Sequence, residues 1–209
     1  MSDKSVEMHP YTALGIANQF RALIFPDCIR TNLAGSIRRG ESEVHDIEII
    51  CEPTRTPVLN IFGDVVSWTS NLDDLMDSLL ITGEICKRAD KHGRPAWGSK
   101  YKRLSYKGFP IDLFAVIPPA QYGVIMMIRT GPAEFSHKMV TPRYLGGLMP
   151  NEYQVKDGAL WDNVGERLLV TPEERRLFDV YGMPYINPED RKKVGSLLDV
   201  ERLMKMGVA

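Results

Sequence analysis

The chain has 209 residues, of which 44% are hydrophobic and 25% charged, and this composition excludes a disordered or collagen-like protein. Its formal net charge of −1 argues, taken alone, against a nucleic-acid-binding protein, since such domains are usually basic. No apolar run approaches the roughly 18–20 residues that cross a bilayer, and residues 1–10 lack an apolar signal region. We therefore expect a cytoplasmic protein with no membrane partner.

The first half of the chain predicts two helices and five strands. The helices are 10–25 and 71–80, with Pro10 at the first helical position of one and Asn71 as the N-cap of the other. The strands are 28–34, 46–51, 81–87, 98–106 and 109–117. A turn at Lys107-Gly108 joins the last two strands.

The second half of the chain predicts mostly helices after a boundary near Pro118, with short irregular or β segments through residue 170. The helices are 120–129, 132–145, one starting at Thr171, one starting at Asn187, and 197–206. Thr171 is predicted as an N-cap, with Pro172 at N1 and Glu174 completing a capping box. Residues 191–193 (RKK) are expected to form a solvated helix face. The fold class is therefore α+β, with domains 1–118 and 119–209.

The basic residues are concentrated in one segment. Residues 87–107 contain eight basic residues and one acid, a net charge of +7, so the rest of the chain carries −8. Clustered cations of this kind bind phosphate backbones. Lys100, Lys102, Arg103 and Lys107 are therefore predicted nucleic-acid contacts, with a solvated basic hairpin as the alternative.

The three cysteines form no recognisable site. Cys28, Cys51 and Cys86 are odd in number, and their spacing fits neither a disulfide framework nor a C-x-x-C pattern. They are expected to be reduced, buried thiols.

The chemistry-bearing residues begin with two acids on one strand. Asp46 and Glu48 are two apart, so they point to the same face of the 46–51 strand. Asp112, on a later strand, completes a carboxylate triad if the two strands are neighbours. Carboxylates held in this way can bind and bridge divalent cations.

A phosphate-binding turn precedes these acids. Gly35 and Ser36 supply backbone N–H groups and a hydroxyl, and Arg38 and Arg39 supply guanidinium groups that match phosphate. A phosphate-binding turn, metal-binding acids and a third carboxylate together are what nucleotidyl transfer requires.

These residues resemble the signature of the family X DNA polymerases, the polymerase beta group of the nucleotidyltransferase superfamily. The resemblance is carried by residues 35–40 (GSIRRG) with Asp46-x-Glu48, and it extends in order to about residue 191. Its further segments are 111–113 (IDL), 121–124 (QYGV), 130–131 (TG), 151–153 (NEY) and 181–191 (YGMPYINPEDR). The sequence departs from the family at Glu48, where its polymerases usually have Asp, and at Ile128-Arg129, where an aromatic pair usually stands.

The resemblance implies a nucleotidyltransferase-type palm with a mixed β-sheet over residues 1–118. A small, mostly helical C-terminal subdomain with short strands would follow over 119–209. Neither the family's lyase domain nor its helix-hairpin-helix is expected, as in the reduced viral members of the family.

The resemblance also implies roles for individual residues. Asp46, Glu48 and Asp112 would be the catalytic metal ligands for two Mg²⁺ ions, which Mn²⁺ can replace, with Asp112 accepting the primer hydroxyl proton. The triphosphate would contact Gly35, Ser36, Arg38 and Arg39. The sugar and base would lie beside Arg129, Thr130, Gly131 and Ser136. The Gly131–Pro132 bond is expected to be cis.

The implied function is a template-directed DNA polymerase that adds dNTPs to a primer 3′-hydroxyl and fills short gaps in DNA repair. Its partners would be gapped or primer-template DNA, dNTP and an accessory protein for DNA grip. Two alternatives stand beside it. One is a template-independent nucleotidyltransferase acting on DNA ends, RNA or a small acceptor, and the other is a non-catalytic nucleotide-binding module.

Overall fold

The structure is a computed structural model that describes residues 7–89 and 93–205. Its helices are α1 Pro10–Ile24, α2 Gly35–Arg38, α3 Asn71–Ile81, α4 Tyr122–Thr130, α5 Ala133–Val140, α6 Glu174–Val180 and α7 Leu197–Lys205. Its strands are β1 Cys28–Leu33, β2 Ile47–Pro53, β3 Arg55–Leu59, β4 Val65–Ser70, β5 Ile85–Lys87, β6 Tyr101–Tyr106, β7 Phe109–Ala115, β8 Tyr153–Lys156, β9 Ala159–Asp162 and β10 Arg167–Leu169. Short 3₁₀ helices occupy Phe25–Asp27, Arg143–Leu145 and Pro188–Lys193. Within the described residues, no helix has both the length and the apolar character that crossing a membrane requires.

These elements form two compact units. The first contains the chain up to Leu33 together with Ser42–Val116, and the second contains Ala34–Glu41 and the chain from Ile117 onward. Helix α2 therefore groups with the later helices and not with the strand that precedes it. The predicted domains 1–118 and 119–209 differ from these units at residues 34–41 and 117–118.

The first unit is built on a five-stranded mixed sheet with the order β1-β2-β7-β6-β5. Strands β2 and β7 are parallel, and the other neighbours in the sheet are antiparallel. Helix α1 contacts β1 and β2 and buries Phe20 and Ile24 completely. The core of this unit is completed by buried aliphatic side chains of the central strands, among them Ile47, Ile49 and Ile111.

The turn between β6 and β7 fixes the register of the sheet. Lys107 and Gly108 both have positive φ angles, 51° and 83°, which is the geometry of a two-residue hairpin turn. The turn was predicted, and it pairs Tyr106 with Phe109 and, three steps further along, Arg103 with Asp112.

A second hairpin was not predicted. Strands β3 and β4 form a two-stranded sheet of their own. The helix that follows, α3, has Ser70 as its N-cap, so the prediction of Asn71 at that position is wrong. The strand predicted over 81–87 is shorter than expected, because α3 continues to Ile81 and the chain turns at Gly83 before β5.

The second unit packs helices α4 to α7 and the three-stranded sheet β10-β9-β8 around one core. Buried side chains of that core include Val124, Phe135 and Phe178. Helices α4 and α6 approach closely at Gly123, where an added Cβ would lie 2.3 Å from the carbonyl oxygen of Glu173. Only glycine fits at this position without displacing backbone.

The predicted start of helix α6 is wrong. The helix begins at Glu174 with Glu173 as its N-cap, and no side chain caps it. Thr171 is fully buried, and its carbonyl oxygen accepts a hydrogen bond from the N–H of Gly123 at 2.9 Å. This contact with the start of α4 holds Thr171 outside the helix, so no capping box forms.

Two further local predictions have clear outcomes. The Gly131–Pro132 bond is cis, as predicted, and Pro118–Pro119 is cis as well. Cys28 and Cys51 are buried, whereas Cys86 is exposed, so the prediction of three buried thiols is wrong for Cys86. Cys86 lies on β5, one of the two edge strands of the five-stranded sheet, and its side chain is exposed.

Candidate active site

The three predicted catalytic acids lie in the first unit, on adjacent strands. The parallel pairing of β2 with β7 places Glu48 directly opposite Asp112. Asp46 immediately precedes β2, two residues before Glu48, and so belongs to the same face. The register of two central strands thus brings together the acids that the sequence predicted as a triad.

Asp112 is hydrogen-bonded to two side chains of the neighbouring strand β6. The Arg103 guanidinium donates from Nε to Oδ1 at 3.1 Å and from one terminal nitrogen to Oδ2 at 3.4 Å. The Tyr101 hydroxyl donates to Oδ2 at 2.9 Å. Only 8% of the Asp112 side chain is exposed, so Arg103 compensates a carboxylate that is almost removed from water.

Burial and the neighbouring charges shift the pKa of Asp46. Burial raises the pKa of the Asp46 carboxyl above its usual range, and the negative charge of Asp112 raises it further. Arg103, Arg88 and His45 lower that pKa, but they do not cancel the two effects that raise it. Burial and the nearby charge of Asp112 thus disfavour the ionised form of the Asp46 carboxyl.

The donor chemistry of the cluster fits a hard divalent cation. Carboxylate oxygens are the ligands that Mg²⁺ takes in proteins, and Asp46, Glu48 and Asp112 supply them. As the side chains stand, however, residues 7–89 and 93–205 contain no group of three His, Cys, Asp or Glu that is already placed around an ion. A cation binding at Asp112 would have to compete with Arg103 for its oxygens.

The second unit contains an arginine cluster. Arg38, at the end of α2, donates to the Thr130 hydroxyl, to Glu174 Oε2 at 2.7 Å and to the Tyr185 hydroxyl at 3.1 Å. Although burial alone would lower it, the pKa of the Arg38 guanidinium is raised by Glu174, and Tyr185 adds to this. Arg38 is thus committed to ion pairing inside the unit.

A second arginine lies against the same glutamate. Arg191 is fully buried and forms an ion pair with Glu174 Oε1 at 2.8 Å, although the contact falls outside hydrogen-bond geometry. Its guanidinium lies over the rings of Phe135 and Phe178, at 5.3 and 5.6 Å from their centres. The prediction of a solvated face is wrong for Arg191, because Glu174 and these rings give it a place in the core.

Arg39 is held between Glu41 and the end of α4. Its Nε donates to Glu41 Oε1 at 3.1 Å, and a terminal nitrogen donates to the Thr130 carbonyl oxygen. Gly131 has a φ of 66°, and a Cβ added there would lie 3.0 Å from the Arg39 guanidinium. A glycine is therefore needed both for this backbone conformation and for the approach of Arg39.

The remaining predicted nucleotide contacts differ in their surroundings. The Ser36 hydroxyl oxygen is shielded from solvent and has no hydrogen-bond partner among the described residues. Arg129 is exposed on the last turn of α4. Ser136 is buried, and its hydroxyl donates to the Ile128 carbonyl oxygen at 2.8 Å, so that hydroxyl is already used.

Some of the predicted nucleic-acid contacts are exposed, and others are already paired within the protein. Lys100 and Lys107 are exposed. Lys102 is 4% exposed and pairs with Asp73, so the prediction that it contacts nucleic acid from the surface is wrong. Arg103 pairs with Asp112 but is 27% exposed, and its nucleic-acid contact stays a prediction. Alternation along β6 turns Lys102 inward beside Leu104 and Tyr106. Asp90 and Lys91 of the basic segment lie outside the described residues.

Sequence reasoning missed two groups of functional candidates. The contact of Arg103 with Asp112 could have been found, because the predicted two-residue turn fixes the register that pairs them. The cluster of Glu174 with Arg38 and Arg191 had no such signal, since it joins residues far apart in the chain.

The sequence and the fold of the chain are each similar to those of known DNA polymerases. No protein-family model matches the chain. It is 24% identical over 166 residues to DNA polymerase lambda of Rattus norvegicus, a match that covers 75% of this chain and 28% of that protein. Its fold is similar to that of polymerase beta of Leishmania infantum, solved as a ternary P/T complex, with a TM-score of 0.64. That match has 16% sequence identity and covers 88% of this chain and 76% of the other.

The fold is α+β and of the nucleotidyltransferase type, as predicted. In sequence and in fold the chain is similar to the family X DNA polymerases, which confirms the resemblance drawn from its motifs. The matched segment makes up under a third of the rat polymerase.

Replacing Asp46 by Asn should stabilise the protein at neutral pH in the absence of divalent cations. The pKa of Asp46 is raised by folding, so ionising this carboxyl costs stability, and the neutral amide avoids that cost. The gain in stability should shrink as the pH falls through the raised pKa. It should vanish well below about pH 3.9, where the Asp46 carboxyl is protonated in both the folded and the unfolded state. Urea unfolding from pH 7 to 3 measures the difference. Asp77→Asn, an exposed position on α3, is the control, and a gain independent of pH would contradict the assignment.

Replacing Glu174 by Gln should destabilise the protein by about 3–5 kcal/mol, because Arg191 would stay buried without a counter-charge. Urea unfolding at pH 7 measures the loss. Glu189→Gln is the control, since Glu189 is exposed in the same unit and should change the unfolding free energy by less than about 0.5 kcal/mol. A loss below about 1 kcal/mol for Glu174→Gln would show that Arg191 needs no ion pair.

Proposed function

We propose that the chain is a template-directed DNA polymerase of the family X type, which transfers nucleotides from dNTPs to a primer 3′-hydroxyl and fills short gaps in DNA repair. One observation carries the proposal: Glu48 stands opposite Asp112 on adjacent parallel strands, with Asp46 two residues before Glu48. The similarity to DNA polymerase lambda and the polymerase beta fold support it.

The carboxylates supply the metal site of this proposal. Asp46, Glu48 and Asp112 would hold two Mg²⁺ ions, or Mn²⁺ in their place. Bound there, such ions neutralise triphosphate charge and lower the pKa of the primer hydroxyl. Burial, and after it the charge of Asp112, raises the pKa of Asp46, so a cation bound beside it would favour the ionised carboxylate.

Asp112 is the proposed acceptor of the hydroxyl proton. The primer 3′-oxygen forms a bond to the α-phosphorus of the dNTP. The bond from that phosphorus to the oxygen bridging the α- and β-phosphates breaks, and pyrophosphate leaves. For Asp112 to accept the proton, Arg103 must release one carboxylate oxygen, while the Tyr101 hydroxyl keeps the carboxylate oriented.

The second unit supplies the proposed triphosphate and nucleotide contacts. Ser36 offers a hydroxyl without a partner, and Arg39, next to Gly131, offers a guanidinium fork. Arg38 is proposed as a positioning residue instead, because its bonds to Glu174 and Thr130 fix the turn that carries Ser36. Arg129 and Thr130 remain the proposed neighbours of the sugar and base.

The proposed grip on DNA is reduced to the exposed members of the basic segment. Lys100 and Lys107 can reach a phosphate backbone from the surface of the first unit. The Lys107 ammonium bonds to the Gln19 side chain at 2.6 Å, an exposed contact that a phosphate can displace.

A single-nucleotide gap tests the proposed activity. With Mg²⁺, a duplex that has one unpaired template base and each dNTP supplied singly, the wild type should add only the complementary nucleotide. Asp112→Asn should lower the rate by about 10²–10⁴-fold. Glu52→Gln, on the same strand as Glu48 and paired with Arg30 at 2.8 Å, is the matched control and should leave the rate unchanged.

Other outcomes would contradict the proposal. Extension of a bare single strand by every dNTP supports the template-independent alternative. A wild type without product on either acceptor supports a nucleotide-binding module. A rate for Asp112→Asn within about tenfold of wild type would remove Asp112 from the chemistry.

A further inference from the structure

We propose that the β3–β4 hairpin, residues 55–70 and here called the ribbon, is a self-association surface through which two copies of the chain form a twofold dimer. Every ribbon residue is exposed except Arg55, Asn60 and Ser70, which are half-buried. An isolated two-stranded hairpin is at best marginally stable in water. A ribbon without a buried residue is therefore unusual, and a partner would stabilise it.

The exposed side chains of the ribbon are largely apolar. Seven of them are large and hydrophobic: Val58, Leu59, Ile61, Phe62, Val65, Val66 and Trp68. Patches of this kind on soluble proteins mark interaction surfaces. Cross-strand pairing puts Pro57 opposite Trp68, and the Arg55 guanidinium lies 5.2 Å from the centre of the Trp68 ring.

The tip of the ribbon is held in one conformation. The Asn60 side-chain oxygen accepts hydrogen bonds from the N–H groups of Phe62 and Asp64, at 2.8 and 2.9 Å, and its amide donates to the Asp64 carboxylate at 3.1 Å. This turn leaves Ile61 93% exposed and Phe62 82% exposed. The two side chains are thus presented outward by an ordered loop, which lowers the entropic cost of binding a partner.

The charge of the ribbon favours protein over nucleic acid as the partner. The ribbon carries one cation, Arg55, and one anion, Asp64, so it lacks the clustered cations that bind phosphate backbones. Its apolar side chains would instead pack against another apolar surface.

The positions of the two charges favour a second copy of this chain. Arg55 lies at the base of the ribbon and Asp64 at its tip. In a twofold interface the same patch meets itself, so two antiparallel ribbons would set the base of each against the tip of the other. Arg55 of each copy would then face Asp64 of the second copy, and two ion pairs would fix the register.

The size of the surface is sufficient for such a dimer. A standard interface buries about 800 Å² on each partner. The ribbon presents two aromatic side chains, Phe62 at 82% and Trp68 at 52% exposure, besides five aliphatic ones. These side chains together supply area on the order of the standard interface.

Light scattering coupled to size exclusion, from about 1 to 100 µM, tests the proposal. The wild type should be dimeric at the upper end. The double variant I61D/F62D should weaken dimerisation more than tenfold, by placing charges in the interface. The matched control I81D/V164D changes two apolar residues that are each 87% exposed outside the ribbon, and it should dimerise like wild type.

A charge exchange tests the arrangement of the two copies. R55D and D64K should each weaken the dimer, and the double variant R55D/D64K should restore part of the loss, because the exchanged charges attract again. Thermal unfolding of each variant shows whether the monomer remains folded.

Three results would overturn the proposal. The first is a wild type that stays monomeric at about 100 µM, and the second is a dimer that survives I61D/F62D. The third is a monomeric wild type whose affinity for gapped DNA falls when I61D/F62D is introduced. The last result would make the ribbon a nucleic-acid contact. None of them depends on nucleotide transfer, so they leave the proposed function untouched.

Discussion

The parallel pairing of β2 with β7 is the constraint on which the carboxylate cluster depends. The pairing places Ile47 beside Ile111 and Ile49 beside Leu113, and these four side chains are buried in the core of the first unit. A slip of one residue in either strand would turn the aliphatic row of that strand out of the core, so the burial of apolar surface locks the register. The alternate positions, Glu48 and Asp112, are thereby fixed opposite one another.

Charge is compensated in two different ways in the two units. In the second unit Glu174 is 5% exposed and pairs both with Arg38 and with a fully buried Arg191. In the first unit Asp112 pairs with an Arg103 that is 27% exposed, while Asp46 keeps a raised pKa. The pairs around Glu174 stabilise the fold, whereas under the proposed function Asp112 would exchange Arg103 for a cation.

Local signals in the sequence were sufficient for the elements that carry the candidate site. Proline at the start of α1, alternation along β2 and the Lys107-Gly108 turn each predicted what the structure shows. Predictions failed where tertiary contacts override local preference, as at Thr171, which α4 holds out of a helix, and at Lys102, which β6 turns inward toward Asp73. The ribbon was not predicted, because its residues are exposed on both faces and buried residues do not alternate with exposed ones along its strands.

In the proposed function Asp46, Glu48 and Asp112 together bind divalent cations, in competition with Arg103. Anomalous diffraction from crystals of the protein with Mn²⁺ and a non-hydrolysable dNTP tests this binding most directly. We expect an anomalous peak within ligand distance of the Asp46, Glu48 and Asp112 carboxylates, with Arg103 withdrawn from at least one Asp112 oxygen. Ordered dNTP without a peak there, and with the Arg103–Asp112 pair intact, would contradict it.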